Sequence, residues 1–410
     1  MGMALAAVVA AAGLAPGQAG GLILCALLAG GALLRLAGEK GRLSAAPPLI
    51  PLLLFALGVA AVLLGASPMA PGGVHPLWSL IGRGGAAAID LQAEWLGLLA
   101  MLALGLAFWL GCSSGAPPKT VRSVTEALMA TGLVVEATAL MASLSPVLRG
   151  SSLFSRVADP GFRGAFFGVM LILAAEGVLR ALSAQGPGGW TARLRAAPLS
   201  VATILCSALL LAMDATPPAA VICAVVVILQ VCWSLLLGGG RRATPRRVLL
   251  WLAPATAGLA AAIAAIAAEH ISEKPAAALA RQAHWQAFWS APWMGYGLGS
   301  VAEVGRLIMT RLNLSAISTW PGPPQAYLAW FEQGGLLAAL PLLGAIAWTT
   351  VILLWASLAQ PRLAGLMCAS VCTSLFLALL GLASAGPADF SIEALWIFLL
   401  GLGFGAARSN

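Results

Sequence analysis

Charge is what this sequence has least of. Asp, Glu, Lys and Arg make up 9% of its 410 residues, against roughly a quarter in soluble domains. So few charges cannot cover the surface of two or three soluble domains, and a soluble fold is excluded. Histidine and tyrosine are scarce too, with 3 and 2 residues. The 7 cysteines, Cys25, Cys112, Cys206, Cys223, Cys232, Cys368 and Cys372, lie within or at the ends of apolar runs, where Cys behaves as a small hydrophobe. With no CxxC and no Cys/His spacing of a metal site, neither a disulfide framework nor a metal centre is expected, and no cofactor is implied.

Apolar residues fill the gap, at 60% of the chain, and the mean hydropathy is +0.96. Their runs are long and continuous rather than alternating, which selects helices over a barrel. The expected fold is all-α: a polytopic integral membrane protein of about twelve transmembrane helices. The runs lie near 3–15, 18–37, 49–66, 95–112, 124–143, 164–182, 198–213, 217–238, 248–268, 335–358, 363–383 and 390–407. The N-terminus has no basic region ahead of its apolar stretch and reads as a first span rather than a cleaved signal. Three regions follow: spans 1–9 in 1–268, a large loop subdomain of short helices in 269–334, and spans 10–12 in 335–410.

The net charge of +8 suggests no nucleic-acid partner here, because basic residues gather at cytoplasmic helix ends. With both termini inside, the cytoplasmic side collects the larger share, anchored by the GGGRRATPRR run with Arg241, Arg242, Arg246 and Arg247. The outer side still holds Arg83, Arg149, Arg156, Arg163, Lys274, Arg281, Arg306 and Arg311, concentrated in 145–166 and 269–334. The second of these is far longer than any other connection, and such loops are usually functional or disordered. It carries Trp285, Trp289, Trp293, Trp320 and Trp330 together with His270 and His284, which indicates an ordered lid hugging the membrane. In PAAALARQAHWQAFWSAPW a helix is predicted until Pro292. Arg281, Trp285 and Phe288 share one face of it, with His284 three residues after Arg281. The glycines of GYGLG, Gly295, Gly297 and Gly299, predict a tight turn. A short amphipathic helix bearing Arg306 and Arg311 should follow, and Gly334 and Gly335 should break the helix that re-enters the membrane.

The stretch RQAHWQAFWSAPWMGYGLGS and the later AYLAWFEQGGLLAALPLL resemble the signature region of the O-antigen ligase and polymerase superfamily over residues 281–340. Elsewhere the likeness is in span number, loop placement and RVADPGFRGAFFG. The resemblance implies an inverting, metal-independent transfer of a glycan from a polyprenyl diphosphate donor to a glycan or lipid acceptor. The site would be the periplasmic face of the bacterial inner membrane. It also implies that Arg281 holds the diphosphate, that Tyr327 and Leu328 match a Tyr-Leu pair, and that Gly335 matches a helix-breaking glycine. Four positions depart from the pattern. Pro324 and Gln325 replace a His-Asn, Asp214 stands where a second arginine is expected, and Gln333 replaces a glutamate, with Glu332 one residue earlier.

The chemistry selects candidates in the same places. A diphosphate wants bidentate arginine, so Arg281 is placed first, with Arg156, Arg163, Arg306 and Arg311 as partners or as contacts to anionic membrane lipids. A hydroxyl acceptor wants a base, which His284 or Glu332 can supply. Trp285, Gly295, Gly297 and Tyr327 belong to the lid. The expected cavity is cationic at its polar end, walled by 269–334 and floored by spans flanking 145–166 and 214–218. His75 and His270 have no neighbouring constellation. Glu126, Glu136, Glu176 and Glu393 are polar groups in or beside spans, where such groups are often functional. Two rivals stay open: a non-catalytic scaffold of glycan assembly, and a lipid-linked glycan transporter using Glu136, Glu176 and Asp214. A reporter fused after Arg247 should read cytoplasmic and one near Ser290 periplasmic; opposite signals would overturn the orientation.

Overall fold

A computed structural model describes residues 30–31, 48–71, 75–80, 85–115, 118–145, 159–183, 190–214, 217–237, 258, 260–268, 275–359 and 364–408. Every regular element among them is helical: α1 (Leu49–Gly65), α2 (Pro76–Leu80), α3 (Leu91–Gly115), α4 (Pro118–Leu144), α5 (Pro160–Ser183), α6 (Trp190–Arg195), α7 (Pro198–Asp214), α8 (Pro217–Leu237), α9 (Pro275–Ser290), α10 (Val301–Leu307), α11 (Leu314–Thr319), α12 (Ala326–Ala359), α13 (Ala364–Ala383) and α14 (Phe390–Arg408), with a 3₁₀ turn at Gly386–Ala388. Seven of these, α3, α4, α5, α8, α12, α13 and α14, are long and apolar enough to cross a membrane, and α1 and α7 are shorter apolar helices. Large apolar side chains such as Leu53, Leu57, Leu205 and Trp355 point outward, as lipid-facing residues do. The chain is a multi-pass membrane protein. These nine helices fall on nine of the expected runs; 3–15, all of 18–37 but residues 30–31, and 248–257 and 259 of the run 248–268 lie outside the described residues.

Prolines open α4, α5, α7, α8 and α9, where a missing N–H removes nothing from the helix ladder. The centre of the bundle is α14, α13 and α5, whose candidate spans are 72%, 67% and 61% buried inside the protein. Their core contains Phe162, Phe166, Phe167, Phe376 and Leu399. Small residues draw the closest pair together. Gly111 and Gly115 of α3 meet the backbone of Phe398–Leu402 and Leu402–Ala406 on α14, and Gly401 and Gly405 meet Phe108 and Cys112 in return. Two glycines four apart on each helix let the backbones touch, the usual route to dispersion contact where lipid leaves little hydrophobic driving force.

Cross-helix contacts also give the running directions. Gly111–Leu402 and Gly115–Ala406 make α3 and α14 parallel. Glu136–Ser207 and Met129–Ser200 make α4 and α7 parallel. Gly58–Leu342 and Gly344–Leu54 make α1 and α12 antiparallel. Successive spans therefore alternate in direction. One end of the bundle gathers the segments 66–71, 75–80, 85–90, 275–334 and 384–390. The other gathers Arg180, Arg193, Arg195 and Arg408.

At the first end α12 is broken. Gly335 has φ 59° and ψ −173° inside the helix, so the i→i−4 bonds expected from Leu336 and Leu337 to the carbonyls of Glu332 and Gln333 are lost. The segment 292–297 replaces them. The N–H groups of Tyr296 and Gly297 donate to Glu332 O and Gln333 O, each at 2.9 Å. The N–H groups of Leu336 and Leu337 donate to Pro292 O at 2.8 Å and Trp293 O at 3.1 Å. Gly295, Gly297 and Gly299 have φ of 66°, 102° and 77°, which is how so short a turn folds against the break. A β-carbon at Gly335 would collide with the Trp293 carbonyl, and a side chain at this φ is itself strained. Gly335→Ala should destabilise the protein by about 2 kcal/mol or more. Thermal unfolding in detergent should show this as a marked drop in midpoint, and an unchanged midpoint would contradict the account of the break.

Candidate functional site

The break positions the site, because the turn that docks on it brings partners to the two residues just before it. Glu332 turns toward α9 and Gln333 toward the interior of the bundle. α9 lies against α12, and its residues Ala280, Ala283, His284, Ala287 and Phe288 are buried. His284 and Glu332 are both 0% exposed. His284 Nδ1 lies 2.9 Å and 3.1 Å from the two oxygens of the Glu332 carboxylate. With the carboxylate ionised it can only accept, so Nδ1 carries a proton, and in the neutral ring Nε2 carries the lone pair. Nε2 is buried and has no hydrogen-bond partner among the described residues. A buried polar atom without a partner is costly and points to a function.

The surrounding turn fastens this pair. Tyr296 Oη donates to Ala287 O at 3.1 Å and lies 2.6 Å from Ser290 Oγ. Burial pushes the Tyr296 phenol above its usual range and the Glu332 charge adds to this, against the opposing Ser290 hydrogen bond. Gly299 N–H donates to Gln333 Oε1 at 2.7 Å. Leu298 N–H donates to the buried Glu94 carboxylate at the start of α3. Ile89 N–H donates to Tyr296 O at 2.9 Å.

The other nominated residues have unlike surroundings. Arg281 is half-buried one turn before His284 on α9. Arg163 is buried in the first turn of α5, which Asp159 caps by accepting from Phe162 N–H at 2.8 Å. Arg306 is exposed and faces Glu303 of its own helix at 3.8 Å. Arg311 is exposed and lies beyond α10, not within it. The helix expected to carry both arginines ends at Leu307 because Asn313 ties down a turn, accepting from Thr310 N–H at 2.6 Å and donating to Ile308 O at 2.9 Å. Arg156 lies outside the described residues. Trp285 is 37% exposed and sets its ring edge-on to Phe288. Tyr327 Oη donates to Ala378 O at 3.0 Å, and its ring stands edge-on to Trp330 at 5.2 Å.

A cavity of about 710 Å³ opens beside the break, between α1, α3, α12 and α14, with Leu298 and Gly299 at its rim. It is not the expected one. No Lys, Arg or His lines it among the described residues; its ionisable lining group is Glu393. Nor do α4, α5, α7 or α8, which flank 145–166 and 214–218, contribute to it. Glu136 pairs with Ser207, Glu176 with Arg180 at 3.2 Å, and Glu126 with Arg122 at 2.8 Å. The Asp214 side chain and His270 lie outside the described residues. The sequence reading overlooked Glu94, although a carboxylate starting an apolar run was its signal. It also set His75 apart, yet that ring packs 5.6 Å from the Tyr296 ring and its Nδ1 accepts from Leu77 N–H at 3.3 Å.

Neither a protein-family model nor a curated protein sequence matches the chain.

Burial lowers the His75 pKa from its ordinary 6.5. Folding thus favours the neutral ring, and the stability it contributes is present above about 6.5 and is lost as pH falls below that toward the folded value. Melting curves at pH 7.5 and pH 5.5 should show a smaller acid-induced drop for His75→Asn, which keeps an acceptor for Leu77, than for the parent. Equal drops would refute the assignment.

Proposed function

We propose that this chain is a membrane glycosyltransferase of the O-antigen ligase and polymerase type. It transfers or polymerises a glycan from a polyprenyl diphosphate donor at the periplasmic face of a bacterial inner membrane. The observation that carries the reading is the His284–Glu332 pair with its unpartnered Nε2. An imidazole held through Nδ1 by a carboxylate is oriented as a general base, and an acceptor hydroxyl is the donor that Nε2 lacks. The pair also answers the main departure from the family resemblance, since it offers a loop histidine although Pro324 and Gln325 replace the usual His-Asn.

In this scheme the acceptor oxygen attacks the anomeric carbon from the side opposite the diphosphate while its proton passes to Nε2. The bond from the anomeric carbon to the diphosphate oxygen breaks, and the electron pair leaves with the phosphate. Arg281, three residues before His284, is assigned to the departing charge, where a charge-assisted contact strengthens as the bond breaks. Reaching Nε2 requires the residues that cover it to move while the contact of Nδ1 with Glu332 holds, since both members of the pair are fully buried. The alternation of spans agrees with a periplasmic site, because the pair lies at the end opposite Arg180, Arg193, Arg195 and Arg408, and basic residues favour the cytoplasm.

The full burial of the pair favours a second reading, a non-catalytic scaffold in which His284 and Glu332 only bolt the loop to α12. Glycan analysis of a deletion strain complemented with variants separates the two. Arg281→Ala should lower transfer about a hundredfold or more, and Arg281→Lys should also impair it, because one ammonium does not replace a bidentate fork. His284→Ala should abolish transfer while membrane levels of the protein are maintained. Unchanged surface polysaccharide on deletion, or full complementation by Arg281→Ala, sinks the transfer reading.

A further inference from the structure

The cavity beside the break takes no part in the scheme above and has its own chemistry. Along α3 its lining runs from Ala93 to Trp109, about 24 Å at 1.5 Å per residue. That is most of the ~30 Å hydrocarbon core of a bilayer. The walls along this length are apolar, contributed by residues such as Phe55, Met101, Leu342 and Ile346. A lining this long and apolar suits one extended hydrocarbon chain lying parallel to the spans.

Thr349 lines the cavity further along α12, but its hydroxyl is given to Ala345 O at 2.8 Å; the other polar side chains, Glu393 and Gln333, lie at the end next to the glycine turn. Glu393, at the start of α14, accepts from Trp330 Nε1 at 2.6 Å. Gln333 accepts from Gly299 N–H through Oε1 and donates from Nε2 to Ala329 O at 3.2 Å. Both side chains line the cavity. A carboxyl and an amide together offer acceptor sites and a remaining amide donor. A phosphate or carboxylate head would be taken out of water with no lining cation among the described residues to pair with it. An ammonium could donate to Glu393 but could accept nothing from the amide. A hydroxyl both donates and accepts, and so matches the pair.

We propose that this cavity binds a long-chain lipid whose head is uncharged and bears hydroxyl groups, and that it excludes anionic lipids. The proposal needs only the cavity and its lining, and it stands whether or not His284 and Arg281 act in glycan transfer.

The test uses the full chain in nanodiscs of neutral phospholipid with a photoreactive alkyl glucoside whose diazirine lies on the alkyl chain. Labelling should map to α3 and α14, in the stretches 93–109 and 393–400. Unlabelled alkyl glucoside should compete at least tenfold better than alkyl phosphate of the same chain length. Ala100→Trp, which fills the cavity away from its polar end, should remove the labelling without changing the head preference of any that remains. Glu393→Gln keeps both an acceptor and a donor at the polar end, so it should still bind the glucoside in preference to alkyl phosphate. Alkyl phosphate competing as well as the glucoside against the parent protein would overturn the proposal. So would labelling that is indifferent to Ala100→Trp. The competition on the parent protein needs no variant to fold. Glucan or glycan output in cells is not measured, so failure here leaves the transfer scheme untouched, and failure of that scheme leaves this result standing.

Discussion

A broken helix in a membrane protein must find new partners for its own backbone, and much of this structure is arranged around that need. At Gly335 two helical hydrogen bonds are lost in α12. Four bonds to the segment 292–297 take their place. In a bilayer the alternative is unpaired N–H and C=O groups at a cost of several kcal/mol each. The break therefore exists only because the glycine turn is there, and the turn is held in place by the break. Gly295 and Gly335 illustrate the interdependence, since a β-carbon on either would press into the backbone of the other's segment.

That single junction organises three neighbourhoods. Glu332 and Gln333 are consecutive, but with the helix interrupted just beyond them they serve different purposes. Glu332 joins His284 in a dry pair, and Gln333 joins Gly299 at the mouth of the cavity. Through Leu298 and Tyr296 the same turn reaches Glu94 on α3 and the 85–90 segment. A displacement of α9 would thus be felt at the cavity rim through rigid, hydrogen-bonded backbone rather than through a flexible linker. What joins the buried pair to the cavity is a shared strip of main chain.

The electrostatics are divided in the same manner. Arginines occupy the loop and the start of α5, in exposed, half-buried and buried settings, while carboxyl groups occupy the bundle interior. Each interior carboxylate described has a donor or cation beside it: Ser207 for Glu136, Arg180 for Glu176, Trp330 for Glu393 and the Leu298 N–H for Glu94. Such groups are tolerated in an apolar bundle when they are hydrogen-bonded. Of these four only Glu393 lines the cavity, and with no lining cation among the described residues its chemistry differs from that of an anion-binding pocket.

Composition and run length by themselves determined that the chain is helical and crosses a membrane, because those properties are sums over many residues and need no knowledge of partners. The helix ending before Pro292, the turn at Gly295–Gly299 and the bend at Gly335 were legible too, since proline and glycine constrain the backbone locally. Choosing His284 and Glu332 as candidates required only their residue types. That they meet, separated by 48 positions in sequence, was decided by the way the turn docks α9 on α12. Tertiary structure alone decided the cavity's place and sign, the extension of α12 back to Ala326, and the inclusion of His75 and Glu94. The Gly111/Gly115 and Gly401/Gly405 spacings were visible in the sequence, but which faces they would join was not. Spacing along one helix reports a face, and only the packing of a second helix says what that face touches.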